Sequence, residues 1–137
     1  MKEKLLRDLR LIGIKINFEL EIRGYSKIYY GKYDPNKKKI ILYPYKNKER
    51  TRKYSYGVVL KYLIHEACHH IEHSMPGYVR YKGIMHSAKF YELNEKYWDR
   101  AKTLLLFGEV EIEDAEICYD RSFENDYGSF TASAFAL

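Results

Sequence analysis

Residues 57–75 read GVVLKYLIHEACHHIEHSM, and the run His65-Glu66-Ala67-Cys68-His69 inside them decides how the chain is understood. On an α-helix, residues four apart share a face and lie about 6 Å apart along the axis. Two imidazoles placed that way can hold one zinc ion at about 2.0–2.1 Å each. A Glu beside the first of them then points at the water the metal carries and can act as general base. The spacing therefore points to metal-assisted hydrolysis. So short a run also arises by accident, and its context carries weight. Gly57 to Met75 is expected to be a helix, with Pro76-Gly77 ending it. Leu60, Leu63, Ile64, Ala67 and Ile71 form one stripe, the expected core face, while His65 and His69 fall near the opposite pole. An accidental motif would leave both histidines solvated there.

Catalytic zinc takes three protein ligands and keeps one position open. The helix cannot supply the third. His73 stands about 12 Å along the axis from His65, and His70 is turned about 100° away from His69. His86 is the remaining histidine, separated from this helix by Pro76-Gly77 and Gly83. It opens a second expected helix, Ser87 to Phe107, with Phe90, Leu93, Tyr97, Ala101 and Leu104 on one face. A histidine at the start of a helix packed beside the first can reach the metal, so His65, His69 and His86 complete the count.

The stretch Met85-His86-Ser87-Ala88-Lys89-Phe90 adds a family likeness. H-E-x-x-H followed by H-S-x-x-F resembles the SprT-like metalloproteases and the small peptidases grouped with them, including the WLM and YgjP-like proteins. The upstream segment SKIYYGKYDPNKKKIILYPY is similar to the two strands that lead to the active helix in that family. The likeness spans about Tyr25 to Trp98, and its specificity lies in the two histidine motifs. It implies zinc as cofactor, His65, His69 and His86 as ligands, Glu66 as catalytic base, and a protein or peptide as substrate. Two departures stand out. With only Cys68 and Cys118, the chain cannot build the C-terminal zinc ribbon that some SprT-like proteins carry. The gap between His69 and His86 is also long for the family, which marks about Tyr78 to Ile84 as a local elaboration. In the related gluzincins a Glu of the following helix is the third ligand, and Glu92 or Glu95 could serve here; otherwise both belong to a solvated face.

The expected fold class is α+β: a small zincin-like metallopeptidase domain with an N-terminal helix, a three-stranded or larger antiparallel or mixed sheet, an active-site helix and a second, ligand-bearing helix. Residues 1–107 would form that domain, and residues 108–137 an acidic C-terminal extension of it. A chain of 137 residues with 46% hydrophobic content can bury a core and is not expected to be disordered. About residues 3–11 read as a helix, and Ile16 to Ile22 alternates as a half-buried strand with Ile16, Phe18, Leu20 and Ile22 inward. Lys27 to Tyr33 and Lys39 to Tyr45 make a hairpin across Asp34-Pro35-Asn36, with Pro44 suited to an edge or a strand end. The cysteines are too far apart to form a disulfide framework and are expected to be reduced thiols. With neither a secretory core nor an apolar stretch of ~20 residues, the protein is expected to be cytoplasmic.

Charge is unevenly spread. One arginine faces eight acidic side chains from Gly108 onward, a formal −7, which leaves +12 on the first 107 residues of a chain whose total is +5. Basic residues gather at Lys37-Lys38-Lys39 and across Lys46 to Lys53, the second cluster flanked by Tyr43, Tyr45, Tyr54 and Tyr56. Such a surface is either an ordinary solvated loop or a site for single-stranded nucleic acid. The resemblance to SprT-like proteases implies DNA as that partner, with the cluster holding the enzyme on it to digest DNA-associated proteins. The acidic tail either packs on the body or lies in the cleft and keeps the enzyme latent. For the oxyanion formed in hydrolysis, Tyr78, Arg80 and Tyr81 are donors by position alone. The competing function is a zinc-stabilised nucleic-acid-binding module without hydrolysis. Glu66 speaks against it, since a structural zinc takes a fourth protein ligand and needs no base.

Overall fold

The computed structural model describes residues 1–78 and 86–107. Along the chain they form α1 (Lys2–Leu11), β1 (Glu19–Ile22), β2 (Gly31–Asp34), β3 (Lys39–Leu42), α2 (Tyr56–His73) and α3 (Ala88–Phe107). This is a small α+β arrangement of three helices and one three-stranded mixed sheet.

The strands lie in the order β1-β3-β2. β3 is therefore central, parallel to β1 with Leu20 opposite Ile40, and antiparallel to β2 with Tyr33 opposite Ile40. Its sequence, KIIL, is the most apolar of the three strands, as a strand flanked on both sides requires. β3 ends at Leu42, so Pro44 stands beyond the strand, where its missing N–H costs no ladder bond. The β2–β3 turn is built by Asp34, whose Oδ1 accepts from the backbone N–H groups of Asn36 (3.0 Å) and Lys37 (3.3 Å). β1 is shorter than its alternating pattern suggests. Leu20 is buried and Phe18 half-buried, but Phe18 lies before the strand and sets its ring edge-on to His70, 5.2 Å between centroids.

α2 is the centre of the molecule. It packs on β2 and β3 on one side and on α3 on another, with α1 also against it. Ser55 caps its start by accepting the Val58 N–H. From Tyr56 through Cys68 every residue of α2 is buried, so its core is not confined to the Leu60, Leu63, Ile64 and Ala67 stripe. Even Lys61 is enclosed, with its ammonium 4.9 Å from the centre of the Trp98 ring. α1 is tied to this body by the buried Asp8, which accepts a hydrogen bond from the Tyr56 hydroxyl. Arg100 of α3 donates to the Ile12 carbonyl at 2.9 Å. None of the described helices is long and apolar enough to cross a membrane.

Candidate metal centre

Three imidazoles converge where α2 meets the start of α3. His65 and His69 stand one turn apart on α2, and His86 sits in the bend just ahead of α3. Each offers a ring nitrogen, and the three nitrogens lie within 4.8 Å of one another. The ring centroids form a nearly equilateral triangle: 5.1 Å from His65 to His69, 4.9 Å from His65 to His86 and 5.0 Å from His69 to His86. The Nε2 atoms of His65 and His86 are 3.2 Å apart. Two nitrogens that share one tetrahedral zinc at ~2.0–2.1 Å stand about 3.3–3.4 Å from each other. That edge of the triangle is thus already near the size a metal site needs, and without metal one shared proton can hold the His65–His86 pair together.

Phe90 supports all three rings. It is fully buried and stacks on His69 and on His86 at 4.4 Å, while meeting His65 edge-on at 4.8 Å. The phenyl ring therefore limits by contact how each imidazole can turn. Truncation of Phe90 to alanine is expected to cost ~3–5 kcal/mol of folding stability. Urea unfolding of the metal-free protein measures this, and a cost below ~1 kcal/mol would mean the ring does not support the site.

Burial sets the protonation states. His65 is pushed well below the usual histidine range by burial and then by His69 and His86, and burial takes His86 down to about 4. Both are neutral near pH 7, the form that binds a metal. Glu66 is also buried, with Oε2 3.9 Å from His65 Nε2, and burial raises its carboxyl to about 8. β2 reaches this point through Gly31. A Cβ there would stand 3.4 Å from Glu66 Cγ and 3.0 Å from Leu42 Cδ2, so the strand lies close above the Glu66 stem. The Cys68 thiol, buried beneath, is pushed up by burial and then by Glu66 and Glu72, and stays protonated.

The other histidines of α2 face elsewhere. His70 is held between two partners, Tyr33 Oη at 2.7 Å from its Nδ1 and Asn17 Oδ1 at 2.6 Å from its Nε2. Since Asn17 Oδ1 can only accept, Nε2 carries the proton and Nδ1 accepts from the Tyr33 hydroxyl. This neutral His70 pins the sheet to α2. His73 is met by the Tyr78 hydroxyl at 3.3 Å, with ring centroids 4.4 Å apart. Tyr78 is thus directed to His73 and not to the imidazole triangle. Arg80 and Tyr81 lie outside the described residues, as does Cys118.

Glu92 and Glu95 are exposed on α3, and among the described residues the three histidines alone gather as a group able to hold a metal ion. Of the two basic clusters, Lys37 and Lys38 are exposed, whereas Lys39 pairs with Glu21 at 2.5 Å. Residues 46–53 are mostly exposed. Tyr43 and Tyr56 are buried, and Tyr54 packs edge-on against Tyr30 at 5.2 Å, so three of the four flanking tyrosines are committed to packing. The acidic tail, residues 108–137, lies outside the described residues.

Neither a protein-family model, nor a curated protein, nor a solved structure matches this chain. The reading of the site accordingly rests on its own chemistry. Motif spacing singles out His65, Glu66, His69 and His86, and the fold brings these four together. Sequence reasoning passed over Glu72 and did not foresee its hydrogen bond from Ser87. The available signal was a carboxylate three residues after His69, hence on the same face, and a hydroxyl directly after His86.

Proposed function

We propose that the protein is a zinc-dependent peptidase of the zincin kind, with His65, His69 and His86 as the metal ligands and Glu66 as the general base. One observation carries the reading: three imidazoles, His65 and His86 buried and His69 half-buried, converge from α2 and the bend before α3, with the Glu66 carboxyl 3.9 Å from the His65 Nε2. The donor set fits zinc, because neutral imidazole is a good zinc ligand and three of them leave a fourth position open. Zinc, when bound, would supply a Lewis acid that lowers the pKa of a water in that position toward ~7 and a positive charge that favours the ionised Glu66.

The remaining chemistry belongs to the chain. Glu66 Oε2 takes a proton from the attacking water and passes it to the amine that leaves the cleaved peptide bond. The buried surroundings of Glu66 exclude bulk water, which raises the basicity of the carboxylate and keeps the proton from leaking away. Phe90 and the turn of α2 keep His65 and His69 aimed at one point, so little reorganisation is needed on binding. β2 lies at the edge of the sheet and passes the base at Gly31, a suitable place for an extended peptide to add as a further strand.

A mixture of quenched fluorescent peptides tests the proposal. Zinc-loaded protein should cleave some of them, 1,10-phenanthroline should stop cleavage, and added zinc should restore it. Cleavage that continues in metal-free protein would rule out the zinc mechanism.

A further inference from the structure

His86 is the least anchored of the three imidazoles by secondary structure, since it lies in a bend before α3 and not on a helix. Its neighbour Ser87 is the point at which that bend is tied down. Ser87 Oγ accepts the Phe90 N–H at 3.1 Å and its carbonyl accepts the Tyr91 N–H at 3.2 Å, the contacts of a residue that starts a helix. The same hydroxyl donates its proton to Glu72 Oε2.

Glu72 belongs to α2, seven residues after His65 and three after His69, on the face that carries both imidazoles. It is buried, with 7% of its surface exposed. A carboxylate so enclosed is costly unless its oxygens are satisfied. Here Oε2 accepts from the Ser87 hydroxyl, directly ahead of the 20-residue α3. The chain of contacts runs from Glu72 to Ser87 and on to the Phe90 N–H, with His86 one residue before this anchor and the Phe90 ring beneath all three imidazoles.

We propose that Glu72 is a positioning residue for the metal centre: through Ser87 it fixes the start of α3 and thereby holds His86 where the third ligand must be. The inference rests on the reading of the three histidines as a metal site. Glu72 does not touch the metal itself. It acts on affinity through His86, and that dependence separates it from a carboxylate that merely stabilises the fold.

The test is a titration of metal-free protein with zinc and with cobalt(II), followed by competition with a chromophoric chelator and by the cobalt absorption bands. Glu72→Ala and Ser87→Ala are each expected to weaken binding by ~10–100-fold and to alter the cobalt spectrum, and the double variant should lose no more than the larger single loss. Glu72→Gln keeps an oxygen for Ser87 and should recover most of the affinity. In a His86→Ala background, Glu72→Ala should cost less than ~2-fold, because the ligand it positions is gone. Ser87→Ala breaks the same link from a partly exposed position, and serves if Glu72→Ala does not fold. Wild-type affinity in a folded Glu72→Ala or Ser87→Ala protein would overturn the proposal while leaving the metal site intact, as would an equal loss in the His86→Ala background. A wild type that binds neither metal would instead remove the metal reading, and the positioning role with it.

Discussion

Glu66→Gln is expected to bind zinc as well as the wild type and to lose hydrolysis by ~10²–10⁴-fold, the usual contribution of a positioned general base. The change is nearly isosteric, which matters at this position. Glu66 is buried and its stem runs close under β2 at Gly31, so a shorter or longer side chain would disturb the edge strand as well as the chemistry. The glutamine amide cannot accept the proton that the carboxylate takes, and the imidazole triangle is otherwise unchanged. Measurement needs both readouts together: zinc per chain by elemental analysis, and kcat with KM on a peptide that the wild type cleaves. Retained zinc with kcat near the wild-type value would show that Glu66 is not the base. Loss of both would show that the residue serves the fold, and would leave the base unassigned.

His86→Ala should reduce zinc from about one per chain to a small fraction of that after dialysis, with affinity weaker by more than ~100-fold, since loss of a direct ligand must exceed the 10–100-fold cost of losing a supporting contact. His65 and His69 alone give two ligands from one helix turn, and two imidazoles rarely hold zinc against dialysis. Folding should survive, because His86 lies in a bend at the edge of α3 and Phe90 continues to fill the space beneath. Zinc retained in this variant would mean that another side chain closes the site, and Glu92 or Glu95 would then have to turn inward from their exposed positions.

The helices were legible in the sequence because their signals are local. Gly57 and Pro76-Gly77 bracket α2, the Leu60–Leu63–Ile64–Ala67 stripe supplies its period, and its ends fall within two residues of expectation. The Asp34-Pro35-Asn36 turn and the two strands beside it follow from equally local chemistry. The pairing of β1 with β3 did not, because a parallel partner far along the chain leaves no mark on the intervening residues. The same limit explains the histidines. A helical wheel placed His65 opposite the core stripe, and only the presence of α3 on that side turns an outward face into an interior one. Glu72 was overlooked for a related reason: a lone acidic residue near a helix end resembles a solvated one until Ser87 is brought against it by the approach of α3.

The enclosure of α2 from Tyr56 to Cys68 has a consequence for genetics. Every position in that stretch is interior, so many substitutions there are expected to lower the amount of folded protein whether or not they meet the imidazole triangle. A loss-of-function screen would therefore paint much of the helix as essential and could not tell Leu63 from His65. Damage must be sorted by what survives it: variants at Leu60 or Leu63 should vanish from the cell through proteolysis of unfolded chains, whereas Glu66→Gln should accumulate to normal levels as an intact, inert protein.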